Sequence, residues 1–288
     1  MPNAIAFQGE LGAYSHQACY ETHPRMQPLP CRTFEDTIAA VREGRAELAM
    51  VPVDNSTFGR VADIHHLLPE SGLHIVGEAF VRVHINLLAL PGVRLDQIES
   101  AVSHTMLLGQ CRSFLERHGI RRITGADTAG SARQVAEASQ PELAALASDL
   151  AGEIHGLEVV AHHIEDQGTN TTRFLIMARE PDFARRGGDG MMTTLVFRLR
   201  SIPAALYKAL GGFATNGVNL TKLESYIMDG NFNVAQFYAD IEGHPEDPPV
   251  ARALDELDYF TSDITILGVY PADPRRYVDG ECEATDPD

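Results

Sequence analysis

The chain has 288 residues, of which 44% are hydrophobic and 22% are charged. These shares are typical of globular proteins and exclude general disorder and fibrous repeats. The length predicts two or three domains, because a single domain averages roughly 150 residues. Lys and Arg total 23 against 40 Asp and Glu, a formal net charge of −17. This charge disfavours nucleic-acid binding, which requires a basic face.

Membrane insertion and secretion are also disfavoured. No stretch approaches the roughly 18 apolar residues of a membrane span, and the amino terminus lacks a basic region followed by an apolar one. The cysteines form neither Cys-x-x-Cys pairs nor a Cys/His ligand spacing. We therefore expect reduced thiols in a cytoplasmic protein, without a disulfide framework or a zinc site. The cysteines are Cys19, Cys31, Cys111 and Cys282.

The first 180 residues alternate between apolar runs of strand length and helical patterns. Residues 4–7 predict a strand that ends in a glycine-bearing turn over 8–12, before a helix. Thr33 begins a second helix with a capping-box-like pattern. Residues 48–53 form a continuous apolar run, typical of a strand buried on both faces.

The same alternation continues to residue 178 and predicts an α/β fold with mostly parallel strands. Roughly 175 residues are many for one sheet, so we expect two lobes with a cleft. The remaining predicted elements are helices over 61–68, 105–118, 128–139 and near Leu150, an apolar stretch over 73–90, and strands over 143–147 and 172–178.

Residues 180–190 have the polar, glycine-rich composition of a linker, and we place a domain boundary there. The following segments have the order strand, helix, strand, strand, helix, strand, which is typical of a ferredoxin-like (βαββαβ) domain. They span 193–199, 203–215, 219–228, 232–241, 250–259 and 264–270.

Local signals support this second domain. Pro203 suits the first position of its first helix, and Asp229-Gly230-Asn231 predicts a hairpin turn. Residues 272–288 are acid-rich and predict a solvated tail.

Polar clusters lie where predicted strands begin or end, which is where ligands bind in α/β sheets. Each cluster taken alone also fits an ordinary turn or cap, because Asn, Asp, Ser and Thr are favoured there for backbone reasons. Several clusters at one pole of a sheet favour a binding site. They are residues 8–15, Asp54-Asn55-Ser56-Thr57, Ser103-His104 and residues 169–174.

These clusters supply hydroxyls, amides and one arginine, Arg173. Such groups bind a small oxygen-rich anion and stabilise developing charge by directed hydrogen bonds. They supply no evident strong base, metal or redox centre, so they suit a reaction with a large driving force of its own.

Other chemistries fit the sequence less well. His65-His66 and His162-His163 are adjacent pairs whose side chains diverge, and no further ligand completes a metal set. No Walker-type loop or Gly-x-Gly-x-x-Gly follows a strand, which disfavours ATP and dinucleotides. We interpret His16 as structural, because being next to Ser15 does not make it a catalytic base.

Taken together, the clusters resemble the prephenate dehydratases of phenylalanine biosynthesis over essentially the whole chain. The segment over 202–226 is similar to the ACT regulatory domain of the same enzymes. The segments that carry the resemblance to the catalytic domain are IAFQGELGAYSHQAC (5–19), VPVDNSTFGRVADIHHLL (51–68), TAGSARQVAE (128–137), ALASDLAGEIHGL (145–157) and NTTRFLI (170–176).

The resemblance implies a two-lobed catalytic domain over 1–180, similar to periplasmic binding proteins, an ACT domain over 191–271 and a tail over 272–288. It implies conversion of prephenate to phenylpyruvate without a cofactor or metal, driven by aromatisation. It places the catalytic residues at Thr172, Arg173, Phe174, Asn55 and Ser56, and substrate-binding residues at Tyr14, Ser15, Asp54, Ser103, His104, Thr169 and Asn170.

On this resemblance we expect Arg173 to pair with a substrate carboxylate and Thr172 to hydrogen-bond the departing ring hydroxyl. Asn55 and Ser56 would hold a second group of oxygens, and Phe174 would pack beside the ring. The chain departs from the family pattern at Asp54, where glutamate is usual, and at Thr105-Met106, where many members have Pro-Gln.

The ACT resemblance implies L-phenylalanine as an allosteric ligand and a homodimer or homotetramer. The family's Gly-Ala-Leu appears here as Ala204-Ala205-Leu206, and Glu-Ser-Arg-Pro as Glu224-Ser225-Tyr226-Ile227. The implied phenylalanine-binding residues are Ala204, Ala205, Leu206, Asn219, Leu220, Glu224 and Ser225.

Two alternatives stay open at this point. Arogenate, the aminated analogue of prephenate, differs only in its side chain, and no residue decides between the two substrates. A two-lobed domain joined to an ACT domain also fits a non-catalytic amino-acid sensor.

Overall fold

The computed structural model describes residues 3–184, 190–228 and 231–277. Its strands are β1 (Ala4–Gln8), β2 (Gln27–Cys31), β3 (Leu48–Asn55), β4 (Gly59–Arg60), β5 (His74–Arg82), β6 (Asn86–Ala89), β7 (Ser100–Ser103), β8 (Arg121–Thr124), β9 (Leu143–Ala147), β10 (Glu158–Ala161), β11 (Thr171–Ala178), β12 (Met191–Leu199), β13 (Leu220–Met228), β14 (Asn231–Glu242) and β15 (Thr261–Pro271). Its helices are α1 (Tyr14–Thr22), α2 (Phe34–Arg42), α3 (Ala62–Leu67), α4 (Thr105–Gln110), α5 (Arg112–Arg117), α6 (Thr128–Ala138), α7 (Asp149–His155), α8 (Ala205–Thr215) and α9 (Pro248–Phe260).

These elements form two compact units. Within the described residues, unit 1 takes in 3–61, 79–174 and 277, and unit 2 takes in 62–78 and 175–276. The mixed α/β fold with a two-lobed domain and a ferredoxin-like domain is the one that the sequence predicts.

The first lobe of unit 1 is built on parallel strands in the order β3, β1, β2, with β11 next to β3. The predicted strand at 48–53 lies inside β3, and Met50, Val51 and Val53 are fully buried. The Thr33 hydroxyl accepts a hydrogen bond from the Asp36 amide, which confirms it as the cap of α2. The sequence interpretation missed β2 because it contains two prolines, which an edge strand tolerates.

The second lobe of unit 1 is a five-stranded sheet in the order β10, β6, β9, β7, β8. The pairs of β7 with β8 and β9 are parallel, whereas those of β6 with β9 and β10 are antiparallel. The single helix predicted over 105–118 is wrong, because the chain breaks at Cys111 into α4 and α5. The strands β7, β8 and β10 were not predicted, since each has only four residues and two of them are edge strands.

The ferredoxin-like part of unit 2 has the predicted element order, and its antiparallel strands lie in the order β13, β14, β12, β15. Helices α8 and α9 cover one face, where Phe213, Leu257 and Phe197 form part of the core. Pro203 is not the first helical residue. The chain adopts a left-handed conformation at Ala204, with φ of 57°, and the helix begins one residue later.

Some predictions fall on undescribed residues. Asp229 and Gly230 of the predicted turn, residues 185–189 of the predicted linker and residues 278–288 of the tail lie outside the described part of the chain. The strands on either side of the predicted turn, β13 and β14, pair antiparallel. The described start of the tail is anchored by Arg276, whose guanidinium donates two hydrogen bonds to the buried Glu78 carboxylate.

Two glycines of unit 2 give a matched test of this packing. Gly268 lies where β15 pairs with β5, and a Cβ there would come within 2.6 Å of Ile75 Cβ and closer still to its carbonyl oxygen. We expect Gly268→Ala to lower the free energy of unfolding by about 1–3 kcal/mol, the usual cost of overpacking. Gly211→Ala, in α8 with nothing within 4 Å of the added carbon, should raise it by up to about 1 kcal/mol. Thermal unfolding midpoints measure both, and a Gly268→Ala midpoint at or above wild type would contradict the packing.

Candidate functional site

The side-chain amide of Asn55, at the end of β3, forms hydrogen bonds with two residues near the start of β11. Asn170 lies just before this strand, and Thr172 is its second residue. Asn55 Nδ2 donates to Thr172 Oγ1 at 2.9 Å and to Asn170 Oδ1 at 2.7 Å. These residues are more than 110 positions apart in sequence, and their contact confirms that the two predicted polar clusters meet at one edge of the sheet.

The orientation of the Asn55 amide is fixed by its other end. Asn55 Oδ1 accepts hydrogen bonds from the backbone amides of Thr57 and Phe58, both at 3.0 Å. Backbone N–H groups can only donate, so the atom they face must be the amide oxygen. The NH₂ group therefore points to Thr172 and Asn170, and both of its protons are used.

This arrangement determines what the Thr172 hydroxyl can do. Its oxygen already accepts a hydrogen bond from Asn55, and no residue in the described part of the chain accepts a hydrogen bond from the hydroxyl. A hydroxyl that accepts on one side is a stronger donor on the other, because hydrogen bonds in a chain polarise one another. Thr172 is thus poised to donate to a ligand oxygen.

Asn170 extends the chain of amides to the second lobe. Its Nδ2 donates to Gln110 Oε1 at 3.2 Å, and its side chain is buried. Gln110 lines a cavity of about 380 Å³ whose other walls come from Thr57, Phe58, α4 and the Asp166-Gln167 segment. Because its oxygen is occupied, the Gln110 NH₂ group is a second donor available at this cavity.

Asp54 and Arg173 form a separate pair on the other face of the same two strands. Successive side chains of a strand point to opposite faces, so these residues face away from Asn55 and Thr172. Arg173 Nη1 lies 3.6 Å from Asp54 Oδ2, and the arginine side chain is only 6% exposed. The predicted pairing of Arg173 with a substrate carboxylate does not fit this burial.

Two further predicted contacts also differ. Phe174 is 1% exposed and belongs to the core, so its ring is not presented to solvent as the predicted contact with a substrate ring requires. Ser103 is completely buried, and its hydroxyl donates to the Leu146 carbonyl at 2.7 Å, which makes it a structural residue.

Ser56 and Thr169 hold the loop beside the Asn55 cluster. The Ser56 hydroxyl donates to the Thr169 carbonyl at 2.8 Å and accepts from the Thr171 amide at 2.9 Å. Its only donor and one of its two acceptor positions are thus directed to backbone. Its position therefore favours a role in fixing the start of β11 over direct contact with a ligand.

The other predicted substrate-binding residues, Tyr14, Ser15 and His104, line a second and larger cavity of about 870 Å³ in unit 1. The Tyr14 phenol donates to the His84 carbonyl at 2.8 Å. Burial, together with the nearby Cys111, Glu165 and Asp149, raises the pKa of Tyr14 and keeps the phenol neutral. His104 caps α4, with Nδ1 accepting from the Met106 amide at 3.4 Å.

His16 has the structural role that we expected. Its Nδ1 accepts a hydrogen bond from the Gly12 amide at 3.0 Å, and its ring stacks on Phe7. Burial lowers the pKa of His16, which favours the neutral ring that this acceptor role requires.

Two chain segments join the lobes, and Glu165 connects them. Its carboxylate accepts from the Ile85 amide at 3.0 Å and contacts His84 Nδ1 at 3.2 Å. Burial alone would raise the pKa of the Glu165 carboxyl, but these hydrogen bonds outweigh it and hold the pKa below its usual value. The carboxylate is therefore ionised in the folded protein at neutral pH.

The residues implied for phenylalanine binding are spread over unit 2. Leu220 lines a cavity of about 380 Å³ together with Leu210, Phe213 and Val218. Ala204, Ala205 and Leu206 lie at the start of α8, and none of them lines this cavity. Asn219 donates to Glu242 at 3.1 Å, Glu224 lies 3.4 Å from Lys222 Nζ, and Ser225 is exposed.

Thiol and metal chemistry find little support among the described residues. Burial raises the pKa of Cys19 to about 12 and also raises those of Cys31 and Cys111. No group of three or more His, Cys, Asp or Glu in the described ranges could hold a metal ion. Among the described helices, none has the length and apolar character that a membrane crossing requires.

Comparison with known proteins gives a consistent result. A family model for prephenate dehydratase matches residues 5–182. A bifunctional N-acyl-homoserine lactone acylase/prephenate dehydratase of Komagataeibacter europaeus is 52% identical over 272 residues, 94% of this chain and 97% of that protein. An arogenate dehydratase/prephenate dehydratase of Arabidopsis thaliana is 38% identical over 94% of this chain and 73% of its own length. A prephenate dehydratase from Arthrobacter aurescens, solved with L-Phe, has a TM-score of 0.84 at 31% identity, covering 93% and 89% of the two chains.

The fold and these relatives define a lyase of amino-acid biosynthesis with a two-lobed α/β domain and a ferredoxin-like domain. More particularly, the chain belongs to the prephenate dehydratase family.

Sequence reasoning missed Gln110, Glu165 and the buried pairing of Arg173. Gln110 lies at the end of the short helix that follows the Ser103-His104 cluster, so proximity to that cluster was the available signal. The role of Glu165 depends on a contact 80 residues away, for which the sequence offers no local pattern.

Glu165 gives a pH-dependent test of the junction between the lobes. A carboxyl whose pKa is lowered on folding stabilises the protein above its unfolded pKa of about 4.3, and this contribution is lost as the pH falls through the folded pKa. We expect Glu165→Gln to lower the unfolding midpoint at pH 7. The corresponding loss in the free energy of unfolding should be about 1.5–3 kcal/mol, the usual contribution of hydrogen bonds to a charged group. The difference should shrink as the pH falls below about 4.

Thermal unfolding of wild type and variant across pH 3–8 measures this. Glu153→Gln, at an exposed position of α7, is the control and should match wild type throughout. A Glu165→Gln deficit that does not change with pH would contradict the ionised carboxylate.

Proposed function

We propose that the chain converts prephenate to phenylpyruvate, with loss of carbon dioxide and water. The observation that carries this proposal is the Thr172 hydroxyl, which accepts from Asn55 and keeps its own proton for a ligand. Amides and hydroxyls of this kind suit a reaction that needs a stabilised leaving group and no external electrons.

The proposed reaction balances without a cofactor. The bond between the ring carbon and its carboxylate breaks, carbon dioxide leaves, and the electron pair moves into the ring. The opposite carbon loses its hydroxyl, which becomes water on taking up a proton from solvent, and the ring becomes aromatic. Thr172 donates a hydrogen bond to the departing oxygen, because a threonine is too weak an acid to supply the proton alone.

The neighbouring residues support this step in different ways. Asn55 sets the direction of the Thr172 hydroxyl, and Gln110 offers a second donor for a substrate oxygen at the adjoining cavity. Arg173 pairs with Asp54 on the opposite face of β3 and β11. We propose that this pair holds the two strands together and does not contact the substrate.

Arogenate is the nearest alternative substrate. The Arabidopsis relative is named for both arogenate and prephenate, and the described cavities are lined by carboxylates, Asp166 in one and Glu10 and Asp127 in the other, to which an amino group could bind. Steady-state assays with both compounds decide the preference.

The relative from Komagataeibacter is named also as an N-acyl-homoserine lactone acylase, and its 52% identity makes that activity a second candidate here. The described thiols do not fit a nucleophile for it, because burial raises the pKa of each. Release of homoserine lactone from an acylated lactone, assayed on the protein used for the prephenate assay, tests it. A non-catalytic sensor would turn over none of these compounds.

We also propose feedback inhibition by L-phenylalanine in a homodimer or homotetramer. A relative of 31% identity has been solved with L-Phe, and the ferredoxin-like domain has an apolar cavity beside Leu220. Inhibition requires phenylalanine to bind one state of the enzyme more tightly than another. Turnover with and without phenylalanine, together with the mass of the protein in solution, tests both points.

Removing the Thr172 hydroxyl tests the proposed function. We expect Thr172→Ala to lower kcat for prephenate about 100-fold or more, the usual scale for losing such a group. Thr172→Ser keeps the hydroxyl and should retain most of the turnover. Phenylpyruvate formation measures both variants, and near wild-type turnover by Thr172→Ala would remove this role.

A further inference from the structure

A substrate with two carboxylates needs a cationic partner. Arg173, the cation that we expected to bind one of them, already pairs with Asp54. Arg173 is buried against Asp54 on the face of β11 opposite to Thr172. The cavity beside Gln110 has Asp166 as its only charged lining residue among those described, and a carboxylate repels an anion. Neither place supplies a free cation, so the other cationic side chains of unit 1 become candidates.

The larger cavity of unit 1 contains cationic side chains. These are Arg32 and Arg133, and the acidic Glu10 and Asp127 line the same cavity. The first turn of α1 also opens on this cavity, and its cap residue, Ala13, provides no side-chain acceptor for the free amides.

Arg133 differs from Arg32 in how it is held. It projects from α6 of the second lobe to Glu10 of the first, with Nε 3.2 Å from Oε2 and Nη2 3.3 Å from Oε1. A third contact, from Nη1 to Glu137, measures 3.4 Å. The side chains of Arg133 and Glu10 are 47% and 45% exposed.

These contacts are long for charge-assisted hydrogen bonds, which usually measure about 2.7–2.9 Å. Exposed ion pairs also contribute little to stability. Replacing Glu10 by a ligand carboxylate as the partner of Arg133 therefore costs little free energy. The two parallel N–H donors of a guanidinium bind any carboxylate in the same way.

We propose that Arg133 binds a carboxylate of the substrate, and that Glu10 holds the guanidinium across the cleft when the cavity is empty. This proposal rests on the proposed function, since it assigns the cation that a dianionic substrate requires. Substrate and Glu10 compete for the same two N–H groups, so removing Arg133 and removing the Glu10 carboxylate should have opposite effects on the affinity for prephenate.

The test compares Arg133→Gln and Glu10→Gln with wild type, by KM for prephenate and by its Kd from calorimetry. Arg133→Gln should raise both constants about tenfold or more, on the scale of a lost hydrogen bond to a charged group. Its kcat should change less. Glu10→Gln removes the competitor and should lower both constants or leave them unchanged. Arg133→Lys, which keeps the charge but not the planar pair of donors, should lie between Arg133→Gln and wild type.

Arg32→Gln is the matched control, because it removes one positive charge from the same cavity. An equal loss in Arg32→Gln and Arg133→Gln would overturn the specific contact and leave only a general charge effect. If KM and Kd rise to a similar extent in Glu10→Gln and Arg133→Gln, the proposal is overturned, because the ion pair then serves only to hold the two lobes together. Prephenate binding that depends on Arg133 without turnover would support this inference while removing the proposed function, and a wild type that does not bind prephenate would overturn both.

Discussion

The orientation of one amide, that of Asn55, governs the chemistry of this site. Two backbone N–H groups bind its oxygen, so its two protons must go to Thr172 and Asn170. The Thr172 oxygen is thereby used as an acceptor, and we propose that the hydroxyl donates its own proton in a hydrogen bond to the departing oxygen. A hydroxyl held in this way does not have to reorient when charge develops on the leaving group. Fixed dipoles lower a reaction barrier for this reason.

The fold supplies this arrangement through two neighbouring strands. β3 and β11 lie side by side, and the alternation of side chains gives them two different faces. One face has Asn55 with Thr172, which are accessible to ligand chemistry, and the other has the buried pair of Asp54 and Arg173. Burying a charge is costly unless it is paired, so the arginine fits a structural role, and we propose a more exposed arginine, Arg133, as the cation that binds substrate.

The sequence predicted the large-scale organisation well and individual side-chain roles less well. A continuous apolar run located β3, the alternation of strand and helix patterns located α6 and the ferredoxin-like order, and strand ends located the cluster of Asn55 and Thr172. Short and polar edge strands such as β2 and β8 have too little hydrophobic pattern to detect. The burial of Arg173 and the Gln110 contact depend on which residues distant in sequence become neighbours, and no local motif encodes that.

The most direct measurement of the central claim is kcat for prephenate in Asn55→Asp, Thr172→Ala and the double variant. A carboxylate at position 55 accepts where the amide donates, so the Thr172 hydroxyl would turn inward and be lost to the substrate. We predict that each single variant loses about 100-fold or more in kcat, and that the double variant loses little beyond that. Near wild-type turnover in Asn55→Asp, or losses that multiply in the double variant, would contradict the account.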